Sequence, residues 1–436
     1  MKKNIKYLSF LLFAGLALTA CSSDDELEPI APQQGKKIWK VTVGIGKDTG
    51  METRALNLDG TSLKVGWNTS EKVYVFKDEM MVGTLSPTTT TTNGIVTMTG
   101  SLDGNGYTAG EAVTLRFPRE TIDYTGQDGT LAAIAQKYDY AESITTVKSA
   151  SGSNVSFNNT SLTSLQAIVK FTFDTQVKLV SIYSSMMSEP ITIVPAAATN
   201  TIFAALPLTG ISTVDYVISG VDKDGYPFTI TKSNIRMQNG KYYSADLSTS
   251  NHPSTVDLGL SVEWKTTNLG TSKVTEEGNR YAWGETTTKE TYTLSNYKYY
   301  NTSTSKYTKY VTNSNYGTID NKSKLELNDD AASTYYNGTW HTPTKAEWAE
   351  LNSENCFLAL ITISGSKYVL VTSKKTGCIG NAVIFKWNLS YMSSTLSTSN
   401  NNFYAGFFNT SGNVPILLAP NVNRYSSFPV RPVKEK

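Results

Sequence analysis

Histidine is nearly absent from this chain: two in 436 residues, His252 and His341, far apart in sequence. That scarcity leaves no readable Ser/His/Asp arrangement and no His/Cys spacing of the kind that holds zinc. Glycine-rich loops for phosphates or dinucleotides are missing as well. Cysteine is as sparse, limited to Cys21, Cys356 and Cys378, and no histidine motif sits beside the last two to make a nucleophile. Charge is also low, at 17 % of residues and a formal net of +2. Three lysines (Lys2, Lys3, Lys6) fall in an acid-free leader, so the remainder is near −1. Such a balance gives no electrostatic footprint for nucleic acid or an anionic membrane. The chain reads as non-catalytic, with no metal and no cofactor. Its longest apolar run, Leu8 to Leu18, is too short and wrongly flanked to span a bilayer.

What is present begins with that leader. Residues 1–20 have a basic front, the apolar run and then small residues, which is a secretory signal. The following "LTAC" resembles the bacterial lipobox. The resemblance implies that Cys21 is acylated (a palmitate-type anchor) and becomes the mature N-terminus, held to the membrane without a spanning helix. "SSDDE" comes next and resembles the signal that sends lipoproteins of Bacteroidetes-type bacteria to the outer face of the outer membrane. An exported chain meets oxidising conditions, in which Cys356 and Cys378 can pair; spacing alone does not decide whether they do.

Residues 21–36 are acidic, then Pro- and Gln-containing, and read as a tether. "IWKVTVGI" (38–45) then alternates. Trp39, Val41, Val43 and Ile45 point one way, Lys40, Thr42 and Gly44 the other. The same patterning predicts strands at Lys72–Phe76, Gly94–Thr99, Ala112–Phe117, Leu165–Phe173, Val177–Tyr183, Thr201–Leu206, Val214–Val221 and Pro227–Lys232. Asp59-Gly60, Asp103-Gly104 and Asp224-Gly225 mark turns. Gly129–Tyr138 reads as a helix. Many short strands with turn signals predict a mainly β fold, with sandwich architecture over 37–250 and two subdomains divided near 160. The texture changes near 246–255. Residues 251–436 hold five of the seven tryptophans and read as a mixed α+β domain. There Thr344 and Glu347 form a capping box at a helix start.

Two families are resembled. In order along 37–250, "METRAL", "VGWNTSEKVYVF", "YTGQDGTLAAIAQKYDYA", "LQAIVKFTF" and "GKYYSADL" resemble segments of the fimbrillin-like pilins and surface lipoproteins of Bacteroidetes. Ser70-Glu71 departs from the acidic residue after glycine more usual there. Over 255–433, "VDLGLSVEWKTTNLG", "YAWGET", "YGTIDNKSKLELNDDAA", "GTWHTPTKAEWAEL" and "FPVRPV" resemble a second surface module, the Fibrobacter-major-paralogue type, often compared with C-type-lectin-like folds. That family usually carries arginine within "W-R-x-P-T", where this chain has His341.

In fimbrillin-like pilins an arginine-specific protease cuts after an arginine placed like Arg54. The first strand leaves, and a neighbour's strand fills the groove. The resemblance implies that Arg54–Ala55 is the scissile bond. An independent argument agrees: if Trp39, Val41, Val43 and Ile45 are buried, they contribute on the order of 6–12 kcal/mol, comparable to a domain's net stability of about 5–15 kcal/mol. Loss of such a strand is tolerable only if another replaces it. In polymerising pilins of this family the C-terminal region serves as the donated strand; here residues 251–436 follow that point as a compact domain.

The expectation is therefore a surface-exposed fimbrial tip or accessory adhesion subunit. Its partners would be other fimbrial subunits by donor-strand addition, the outer membrane through lipid on Cys21, and a host or bacterial glycan or protein through 251–436. The alternative is a permanently anchored glycan-binding lipoprotein. Within 251–436, Asn328, Asp329, Asp330, Asp320 and Asn321 read as caps and turns before calcium ligands. Trp264, Trp283, Trp340 and Trp348 read as core, and the tyrosines of 295–316 as surface.

Overall fold

The computed structural model describes residues 37–47, 57–59, 62–64, 67, 69–92, 95–104, 106–396, 403–407 and 418–436. The expected signal, tether, Cys21, Arg54 and Ala55 lie outside these residues. The fold is mainly β.

Alternation produces the first sheet. β1 (Ile38–Lys47), a short hairpin β2 (Asn57–Asp59) and β3 (Ser62–Lys64), β4 (Val73–Lys77), β5 (Met80–Thr92), β6 (Ile95–Asp103) and β7 (Ala112–Phe117) lead to β8 (Ala141–Ser151), β9 (Asn154–Phe157) and β10 (Thr160–Ser164). The order is β1-β6-β5-β4-β7-β8, with β9 and β10 both pairing β8 on one side and β1 on the other. The sheet therefore closes on itself in a barrel-like arrangement, which removes its edges. Inward positions such as Val73, Val75, Leu85, Met98, Leu115 and Phe157 fill the middle. β5 is not visible in the sequence because Pro87 and a threonine run interrupt its pattern. The ladder accommodates Pro87 where the β5–β6 register shifts, between Pro87 and Thr91.

A connector joins this sheet to the next. Gly129–Tyr138, expected as one helix, is a single turn α1 (Leu131–Ala133), capped by Thr130, that widens into a π turn over Ile134–Tyr138. Ile134 and Tyr138 pack on Ile168 and Ala205 of the second sheet. Gln127, buried just before it, holds both backbone groups of Ala205: its Oε1 accepts from the Ala205 N–H (2.8 Å) and its Nε2 donates to the Ala205 carbonyl (2.9 Å).

The second sheet is built on β11 (Gln166–Tyr183), which merges two expected strands into one of 18 residues. β12 (Ile191–Ile193), β13 (Thr199–Pro207), β14 (Ile211–Asp222), β15 (Pro227–Gln238) and β16 (Tyr242–Leu247) follow. The first half of β11 pairs β13 and, in parallel, β16; the second half pairs β12 and β14. A register shift between Thr172 and Val177 lets one strand serve both halves. Ala167, Val169, Phe171 and Phe173 face the core between them.

The remainder is a module of short strands. β17 (Thr255–Asp257), β18 (Val262–Lys265), β19 (Arg280–Ala282), β20 (Tyr300–Asn301) and β21 (Lys306–Tyr307) precede α2 (Ala331–Tyr335) and α3 (Lys345–Ala349). Then come β22 (Cys356–Ile363), β23 (Ser366–Ser373), β24 (Ala382–Lys386), β25 (Tyr391–Leu396), β26 (Phe403–Phe407), β27 (Leu418–Asn423), β28 (Ser427–Pro429) and β29 (Val433–Glu435). The Thr344/Glu347 capping box forms, and Trp348 and Leu351 are buried beneath it. One face of β22–β24 packs on Trp264, Trp348 and Val433. Its other face, with Ile361, Ile363, Tyr368, Leu370 and Ile384, packs on Leu179 and Val221 of the second sheet. The module is thus joined to that sheet through an apolar layer.

Candidate assembly site

β1 occupies the seam that closes the first sheet. On one side it pairs β6 antiparallel from Ile38↔Asp103 to Ile45↔Val96. On the other it pairs β9 in parallel over Lys40–Thr42 and β10 over Ile45–Lys47. The break between β9 and β10 is bridged by a side chain: Asn159 Oδ1 accepts from the Gly44 N–H at 3.1 Å. A Cβ at Gly44 would lie 2.6 Å from that oxygen and 2.7 Å from Ile95 Cγ2, so glycine is required there by close approach. Outside this point lies a depression of about 400 Å³ rimmed by Thr42, Thr97, Lys148 and Asn159.

The inward side chains are seated deeply. Trp39, Val41, Val43 and Ile45 are 6, 2, 2 and 0 % exposed and belong to the barrel core. Trp39 is the most specifically held. Its indole Nε1 donates to the Gly104 carbonyl (3.2 Å), Tyr107 meets it edge-on at 5.5 Å, and the Lys37 ammonium lies 4.0 Å over its ring. Tyr107 donates to the Asp103 carbonyl at 2.9 Å, and burial, then Glu111 and Asp103, pushes its hydroxyl up to about 12. Removing β1 would leave a slot between β6 and β9/β10. An incoming strand would have to run antiparallel to β6, fill four inward pockets and carry a small residue opposite Asn159.

Tyr107 and Asn159 are not marked by the sequence pattern, and Gly104 is marked only as a turn. The one usable signal is Gly44, an isolated glycine inside an alternating strand, which announces a close neighbour.

In the module, the tryptophans expected in the core are there: Trp264, Trp283 and Trp348 are fully buried and Trp340 nearly so. Of the tyrosines of 295–316, expected on the surface, Tyr300 and Tyr316 are half-buried and the other four are inside. Tyr297, Tyr299, Tyr307 and Tyr310 are buried around Trp283. Their hydroxyls find partners inside, which is what lets a polar-looking segment fold inward: Tyr297 donates to the Trp283 carbonyl (2.7 Å) and Tyr310 to Asp329 Oδ2 (2.7 Å). Asp329 also pairs with Lys298 and Lys309. Asp330 caps α2 and accepts from the Thr342 N–H and hydroxyl; Asp320 accepts from the N–H groups of Tyr310, Val311 and Lys322.

His341 pairs with Glu347 at 3.1 Å, and two buried arginines brace the module. Arg431 reaches Asn268 Oδ1 (2.8 Å) and the carbonyls of Thr266 and Ile384 (3.0 Å each), with its guanidinium over Phe385. Arg424 donates to the Lys309 and Tyr310 carbonyls. His252 contacts the Pro227 carbonyl and Tyr226.

Cys356 and Cys378, which can pair by sequence, are both free thiols here. Cys356 lies inside the module core, and burial pushes its thiol up to about 11. Cys378 lies in the loop after β23; its burial first, and then the Asp257 carboxylate that it hydrogen-bonds, raises its pKa.

No protein-family model matches this chain, and no curated protein matches it. Among solved structures, a candidate cell adhesion protein of Bacteroides fragilis is similar at 9 % identity, covering 48 % of this chain and 92 % of its own, with a TM-score of 0.28. The tip fimbrial protein Mfa3 of Porphyromonas gingivalis, truncated at its C-terminus, is similar at 9 % identity over 50 % of this chain and 96 % of its own, with a TM-score of 0.26. A fimbrial assembly protein of Parabacteroides distasonis gives 14 % identity, 48 % and 90 % coverage, and a TM-score of 0.24. At these identities and scores the likenesses carry no inference about what this chain does.

Proposed function

We propose that this chain is a non-catalytic cell-surface fimbrial tip or accessory adhesion subunit that assembles by strand exchange at the β1 seam. One observation carries the reading: β1 closes a barrel-like sheet with strand neighbours on both sides and four buried side chains, so its departure creates a strand-shaped vacancy. The motif resemblance places the cut at Arg54–Ala55, with the chain held to the outer membrane by lipid on Cys21 until then. The module at 251–436 sits where polymerising relatives carry their donated strand. Its segment Val433–Glu435 is paired with β18, and β16 is paired with β11, so neither is free to be donated. Such a chain accepts a strand from below and presents its module outward, to a glycan or protein.

The test is N-terminal sequencing of protein sheared from cells together with the material left in the membrane. The reading expects sheared fimbriae to contain a chain starting at Ala55, at one end of the fibre only. A chain found solely in detergent extracts, starting at acylated Cys21, would instead identify a permanently anchored lipoprotein.

A further inference from the structure

β22 runs along the open side of its sheet. Its eight residues pair β23 without a register shift. The connecting turn sets Ser364 and Gly365 at φ 49° and 79°, the two-residue geometry that closes a hairpin. Register then fixes where each backbone group points. The Lys374 N–H donates to the Asn355 carbonyl (3.0 Å), so odd-numbered residues of β22 bond to β23. The Ser373 N–H donates to the Asn381 carbonyl and the Trp387 N–H to the Lys367 carbonyl, so odd-numbered residues of β23 face β24. The N–H and C=O groups of Leu358, Leu360 and Thr362 therefore point out of the sheet, where no strand among the described residues meets them. Proteins guard such edges with charge, proline or a bulge. β22, "CFLALITI", has none of these, and Leu360 is 49 % exposed.

A groove of about 490 Å³ follows this edge, with Pro190, Thr192 and Val194 at β12 on its opposite wall. Among the described residues β12 pairs only with β11. The charged lining, among the described residues, consists of Asp128 and Glu189, both exposed, with no lysine or arginine.

We infer that the β22 edge is a strand-addition site for an extended segment of a partner protein, with alternating aliphatic side chains and a lysine or arginine that meets Asp128 and Glu189. Backbone pairing to Leu358, Leu360 and Thr362 gives affinity, and the two carboxylates select a cationic segment. The site lies in a different sheet from β1 and requires no cleavage, so it stands or falls separately from strand exchange.

The probe is an acetylated, amidated ten-residue peptide of alternating valine and threonine with lysine at each end, titrated into the full chain by fluorescence anisotropy. Saturable binding is expected, at least tenfold weaker when glutamate replaces the terminal lysines or in Glu189→Lys. Hydrogen exchange should slow at Leu358, Leu360 and Thr362. Leu360→Pro removes the central outward N–H without cutting the β22–β23 ladder and should abolish binding. Leu360→Lys, an edge-guarding charge, serves the same purpose if the proline variant does not fold. Absence of binding to the native chain, undiminished binding to Leu360→Lys, or protection at β6 rather than β22 would overturn the proposal.

Discussion

Asp329 shows how single residues hold the module. Its carboxylate is enclosed by Lys298, Lys309 and the Tyr310 hydroxyl. Burial alone would raise its pKa, but these donors, Lys309 first, hold it below the usual carboxylate range. A carboxyl lowered in the folded state adds stability above its unfolded value of about 4 and loses it as pH falls through the folded one. Asp329→Asn should therefore lower stability at pH 7 by about 1–3 kcal/mol, and the gap from the native protein should narrow below about pH 4; melts across pH 2–7 check this. The cysteines make a second prediction. With Cys356 buried and its thiol near 11, iodoacetamide at pH 8 should label Cys378 first, and reduction should leave the intact mass unchanged. The core tryptophans were legible from their apolar, motif-bound setting. The buried tyrosines were not, because serines, threonines and asparagines surround them, and only the tertiary fold supplies partners for their hydroxyls.

At the scale of elements, β1 was legible in the chain, since alternation with period two names its buried face before any neighbour is known. What alternation leaves open is which strands flank it, and those define the candidate site. Trp39→Ala should cost about 3–5 kcal/mol, read by denaturant titration; Thr42→Ala on the outward face should change little. Gly44→Val should destabilise as well, through Asn159 and Ile95. If strand exchange operates, a chain beginning at Ala55 should bind a synthetic peptide of residues 36–47 saturably, read by fluorescence anisotropy, and a chain that keeps β1 should not. The connector was found as a segment but mistaken in form. Its helix is short because Gln127 and the π turn serve to clamp β13 and β11, an office that local propensity cannot reveal.

At the scale of the molecule, the apolar layer between β11/β14 and β22–β24 decides how the parts behave when separated. Residues 37–250 alone would expose Leu179 and Val221, and residues 251–436 alone would expose Ile361, Ile363, Tyr368, Leu370 and Ile384. Each fragment should melt below the full chain and bind a hydrophobic dye, measured by calorimetry and fluorescence. By itself the sequence determined the mainly β class, the inward face of β1, the capping box at Thr344 and the buried tryptophans. The tryptophans were read from the motifs that hold them, and the rest follows from spacing within a few residues of chain. Tertiary structure alone decided that the first sheet closes through β9 and β10, that two expected strands join as β11, that tyrosines line a core, and that the module is fixed against the second sheet. These rest on pairings between residues far apart in sequence, where backbone register and the complementarity of distant faces, not local pattern, set the free energy.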